Sequence, residues 1–217
     1  MTDLAGLTDR VEQILADTAN AIWDTTWISE GLRQALHEYS AARPLKTIGT
    51  LAVGSDTHEL DISSISLLEV NEVHVPYTAS DPEEPPNGRA FEHWQDAQIL
   101  YFPGYELQSG DTARIFYTQL HTIEDLDSAT ATTVRADHET LLVNGAAGHV
   151  AASRAIDLTE QVTIDRLTSQ QVRAWGLSKL QEFRTGLRGI ARAEGLKASG
   201  FVESPALDRW DSSGGWS

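Results

Sequence analysis

The hydrophobic period of this 217-residue chain changes twice, and that limits its fold more than any single motif does. Helical spacing runs to about Ala42, short β-type runs occupy Lys46 to Ile123, and helical spacing returns after Asp125. The expected class is α+β: a helical bundle body of about four helices, a small antiparallel β lobe between helices 2 and 3, and an extended C-terminal tail. The corresponding divisions are 1–44, an N-terminal helical hairpin; 45–124, the β lobe; 125–195, the C-terminal helices; and 196–217, the tail.

Leu4, Leu7, Val11, Ile14 and Leu15 recur at spacings of three and four, which predicts a first helix from Leu4 to Ala19. Thr26 or Ser29 is the expected cap of a second helix, in which Leu32, Ala35, Leu36 and Tyr39 share one face and which Pro44 ends. A third helix is expected from Asp137 to Ile156. Its small residues Gly145, Ala146, Ala147, Gly148, Ala151, Ala152 and Ala155 allow a neighbouring helix to approach closely. The last is expected from Asp165 or Thr168 to Ala193. Gly176, Gly186 and Gly189 each weaken it by roughly 1 kcal/mol relative to Ala, so bending or fraying is anticipated.

Between these lie runs around Ile48 to Val53, His58 to Ile62, Leu67 to Val75, Arg89 to Trp94, Ile99 to Phe102 and Thr112 to Leu120, separated by Gly, Ser, Asp and Pro. The stretch from Thr78 to Gly88 holds Pro82, Pro85 and Pro86 beside Asp81, Glu83 and Glu84. It is expected to be an exposed loop, because proline lacks the ladder donor. Beyond Gly195 the composition is that of a linker, yet it keeps Phe201, Trp210 and Trp216.

Composition narrows the chemistry. With no cysteine, disulfides, thiolate metal sites and cysteine nucleophiles are excluded. Thirty-two acids against sixteen Lys and Arg give a formal charge of -16, which opposes sequence-independent attraction to phosphate backbones. No apolar run approaches the roughly 20 residues that span a bilayer, and Met1 to Leu4 does not open a secretory signal, so the protein is expected to stay inside the cell that makes it.

None of the lysines (Lys46, Lys179, Lys197) follows a glycine, so a Walker loop is missing. His37-Glu38 and His138-Glu139 lack the second histidine of a metalloprotease helix and read as surface or interface residues. There is no Gly-x-Ser-x-Gly or Ser-x-x-Lys signature. Paired acids such as Glu83-Glu84, or Asp125 with Asp127, are expected by chance in so acidic a chain. No catalytic, cofactor or metal site is anticipated. His93-Trp94 reads as ordinary sheet packing, with Phe91 and His93 on one side and Trp94 on the other.

The stretch Trp27-Ile28-Ser29-Glu30-Gly31-Leu32 to Tyr39 is similar to the Trp, cap and helix of tailed-phage head-to-tail adaptor subunits, also described as connector, head completion or neck proteins. Gly49-Thr50-Leu51 through His58-Glu59-Leu60-Asp61, then Leu68 to Val73, and finally Gly110 to Tyr117 resemble the strands of that family's β insertion. His138 to Ala155 resembles its alanine-rich third helix. The likeness spans roughly Leu4 to Ala193 and lies in order and pattern; the extension from Leu196 departs from it.

The resemblance implies a non-enzymatic virion protein assembled in the host cytoplasm as a homo-oligomeric ring, usually of twelve. Such a ring joins the portal to the tail or to a second neck ring, and passes genomic DNA without sequence-specific binding. Acidic residues along its channel would repel the DNA backbone, and closure requires a heterologous contact. Phe201, Trp210, Trp216, Asp81, Glu83 and Glu84 are the candidate partner contacts. The alternatives are another neck or tail subunit, and a small-ligand or glycan binding module using Trp94, Tyr101 and Tyr105 of the β lobe.

Overall fold

A computed structural model of the chain describes residues 2–17, 22–80, 88–160 and 166–198. Among the described residues it is a mixed α+β molecule with four α-helices and two small antiparallel sheets. In chain order these are α1 (Leu4–Leu15), α2 (Thr25–Ala42), β1 (Leu45–Ala52), β2 (Glu59–Asp61), β3 (Glu69–His74), β4 (Glu92–Trp94), β5 (Ile99–Tyr101), β6 (Thr112–Gln119), α3 (Glu139–Glu160) and α4 (Arg166–Ala198).

The Asp3 carboxylate caps α1 by accepting the Gly6 N–H at 2.9 Å. The helix stops at Leu15, short of the expected Ala19, because Ala16 turns left-handed at φ 55° and its N–H bonds back to Gln13 and Glu12. Asp17 then accepts the N–H groups of Ile22 and Trp23 at 2.7 and 2.8 Å. The cap of α2 is Asp24, which takes the Thr26 N–H at 2.8 Å. Thr26 and Ser29, the expected caps, lie inside the helix, and the Ser29 hydroxyl donates to the Thr25 carbonyl at 2.9 Å. Asp24 comes first in the chain, has extended backbone angles and presents a charged acceptor.

Leu7, Val11, Ile28, Leu32, Ala35, Tyr39, Leu142, Ala146, Ala147, Val150 and Phe183 belong to one buried cluster drawn from all four helices. Helix α3 lies at its centre, packed against α1, α2 and α4. Its small residues serve that position: a Cβ on Gly145 would meet the Phe183 ring at 2.8 Å, and one on Gly31 of α2 would meet the Ala146 carbonyl oxygen at 2.8 Å. Helix α4 is continuous over 33 residues. A Cβ on Gly176 would meet the Ala152 nitrogen at 2.9 Å, so this glycine sets the separation of the two helices. Among the described residues no helix is long and apolar enough to cross a membrane.

The strands form two sheets, β1-β6-β3 and β2-β5-β4, antiparallel throughout. Their side chains share a second cluster, with Ile62, Val73, Val75, Leu100, Phe102, Leu107 and Ile115 fully or almost fully buried. Strands β1 and β6 pair over eight residues from Leu45↔Gln119 to Ala52↔Thr112, while β3 carries a bulge between Val70 and Glu72. The expected strand runs thus appear close to where the periodicity placed them, divided between two sheets.

Candidate functional site

The six residues expected to contact partners, Asp81, Glu83, Glu84, Phe201, Trp210 and Trp216, lie outside the described residues. Three other places gather functional side chains: a seam below the sheets, a groove between α2 and α3, and the outer surface of the strands.

The seam lies where the chain leaves α2 for β1 and returns from β6. His121 is 3 % exposed there, and its N–H donates to the Ser40 hydroxyl at 3.0 Å. Its Nε2 is 3.0 Å from the Arg43 carbonyl oxygen, and its Nδ1 lies 3.0 Å from the Thr133 carbonyl and 3.1 Å from the Thr133 hydroxyl. Each ring nitrogen faces a carbonyl oxygen, so a neutral ring donates to only one of the two at a time. Burial pushes the imidazole below its ordinary pKa, against the pull of the Thr133 and Arg43 carbonyls. The Tyr39 ring meets His121 edge-on at 4.9 Å, and its hydroxyl bonds His138 Nδ1 at 2.8 Å. His138 is therefore part of an internal hydrogen-bonded pair, while His37 is exposed.

The groove between α2 and α3 has a volume of about 310 Å³ and is lined by Trp27, Glu30, Gln34, His149, Val150 and Ser153, among others. Beside His149, Arg184 of α4 clamps Glu38 with two hydrogen bonds of 2.8 and 2.9 Å, which hold that carboxyl below the usual carboxylate range. His149 Nε2 stands 3.2 Å from Glu38 Oε1 without the angle of a hydrogen bond. Burial lowers the His149 pKa, Glu38 opposing and Arg184 adding. The walls thus offer an indole, an amide, a carboxylate and a hydroxyl, the chemistry of recognition.

On the strands, Trp94 is 48 % exposed and stacks on Tyr101 with ring centroids 5.7 Å apart. Tyr105 lies under the Arg89 guanidinium at 4.1 Å, so the three aromatics do not form one open platform. Phe91 packs against the sheet core, as expected of it. Ile48 of β1 is 52 % exposed. Its register partner Phe116 touches His74 and lies under Arg114.

Several acids are committed to structure. Asp127 is paired with Arg33 at 2.8 Å, which lowers its pKa, and Asp137 with Arg135 at 2.8 Å. Burial pushes Glu139 upward, but the Thr2 N–H and hydroxyl and Arg10 outweigh it and hold the carboxyl low. Among the described residues no three His, Asp or Glu side chains gather as a metal site would require. The sequence reading did not single out His121 or His149; the one available signal was a histidine at the point where the hydrophobic period switches. No protein-family model matches the chain, and no curated protein matches it either.

Proposed function

We propose that the chain is a structural subunit of a tailed virus, an adaptor between portal and tail, built as a helical body with a β lobe inserted between its second and third helices. The observation that carries this reading is the order of the elements: a helical hairpin, a block of antiparallel strands with its own apolar core, and a small-residue third helix packed by the other three. That order is what the resemblance describes. An acidic chain of net charge -16 also suits a channel through which DNA slides without being gripped.

Light scattering after size exclusion, with and without portal protein, tests the reading. A ring, alone or formed on the portal, is expected; a monomer indifferent to portal would refute it. A second reading, a glycan binding module, draws on the exposed Trp94 ring stacked on Tyr101. Titration with oligosaccharides while following tryptophan fluorescence separates the two, since only the second predicts a response lost in Trp94→Ala.

A further inference from the structure

Antiparallel ladders alternate residues that bond to one neighbour with residues whose N–H and C=O point the other way. The Val53 N–H donates to the Asp111 carbonyl at 2.8 Å, whereas the Thr112 and Thr118 carbonyls accept from Tyr77 and Leu68 on the far side of β6. Odd residues of β1 therefore bond to β6. The peptide groups of Lys46, Ile48, Thr50 and Ala52 face away from it, toward the free edge.

The other three edges are closed. In β3 a bulge breaks the register, and the Arg89 N–H takes the outward Val73 carbonyl at 2.9 Å. In β2 the outward residues are Glu59 and Asp61; the Glu59 N–H is held by the Thr57 hydroxyl at 3.1 Å, and Asp61 turns to the Ser63 N–H. Strand β4 is three residues long, and only His93 points its peptide groups outward. Bulges, acids and short length are the usual protections against edge pairing. Strand β1 has no bulge, proline or acid, and runs for eight residues.

We infer that the β1 edge docks a second copy of the chain, two β1 strands pairing antiparallel about a twofold axis so that two three-stranded sheets become one. Two features favour this occupant. Among the described strands only β1 has a run of outward peptide groups, so the matching edge on another copy is β1 itself. In a chain of net charge -16 it is also the one edge with no carboxylate to repel its mate. With Gly49 on the axis, Ile48 faces Thr50 and Lys46 faces Ala52, so the lysines are not opposed. Each facing pair exchanges two hydrogen bonds. A twofold contact closes on itself, so it is distinct from one that repeats around a ring and does not depend on the adaptor reading.

Thr50→Pro deletes an outward N–H that the chain's own ladder does not use. The wild-type chain is expected at twice 23.8 kDa or another even multiple of 23.8 kDa, and T50P at half the wild-type mass with unchanged far-ultraviolet circular dichroism. As a check that does not require a proline, Ile48→Cys with Thr50→Cys, in a protein that has no other cysteine, should give a disulfide-linked dimer on mild oxidation. A wild-type monomer at every concentration, a T50P protein of unchanged oligomeric mass, or a folded double-cysteine protein that never cross-links as a dimer would overturn the inference. Whether T50P still assembles on a portal tests the adaptor reading separately.

Discussion

The helices and the sheets both bury a continuous apolar cluster, but one is specified by atoms that are missing and the other by atoms that are present. In the helical cluster, Gly31, Gly145 and Gly176 let neighbours come so close that a single added carbon would sit 2.5 to 2.9 Å from its nearest atom. The cluster between the sheets is filled by large side chains such as Phe102, Leu100, Leu107 and Ile115, and a Cβ on the nearby Gly49 of β1 would meet the Tyr117 ring only at 3.2 Å. Addition should therefore damage the first and deletion the second.

Phe102→Ala is the strongest test of the sheets. The side chain is fully buried, and its loss should cost about 3–5 kcal/mol. In calorimetry the sheet transition is expected to move down while the helical one, resting on a separate cluster, holds its position; equal movement of all the heat absorption would break the comparison. Gly176→Val tests the helices, with a cost of about 1–3 kcal/mol read from urea denaturation, because the new side chain must push aside the α3 backbone rather than a flexible chain end.

Acid sharpens the contrast. His121 at the seam and His149 within the helices both have pKa values lowered by burial. Their contribution to stability is thus fully present above the unfolded value of about 6.5 and is lost as pH falls through the folded values. The melting temperature should drop between neutral and mildly acid pH, and His149→Gln should flatten that dependence; an unchanged slope would show that the groove histidine does not couple to folding. The smallest effect has the opposite sign. Nothing lies within 4 Å of a Cβ on Gly189, so Gly189→Ala should stabilise by about 0.5–1 kcal/mol, seen as a rise in melting temperature that Gly176→Ala would not reproduce.

Alternation and turn residues made the strands legible in the sequence, and three-four spacing did the same for the helices. What stayed hidden was pairing. Strands β2, β4 and β5 are three residues each; β4 and β5 form a local hairpin, but the place of β2 beside β5, in a sheet apart from β1, β6 and β3, depends on a partner tens of residues away. The glycines of α4 read as weak points because propensity is local. Gly148 lies across from Gly176, and only that juxtaposition shows that the helix gives up propensity for contact. The cap of α2 was misplaced by a few residues because Asp24, Thr25, Thr26 and Ser29 crowd one turn and spacing alone does not rank them. His121 left almost no trace, since its acceptors are the backbone carbonyls of Arg43 and Thr133, and a carbonyl has no letter in the sequence.

The pairing of Leu45 with Gln119 has an engineering consequence. The chain goes out along β1 and comes back along β6 at facing positions of one rung, so both sheets are attached across a gap that a tight turn could close. Residues 45–119 are in that sense a cassette. They could be removed with the helices rejoined by a few residues, or replaced by any hairpin of the same width, without altering the path of the helices on either side.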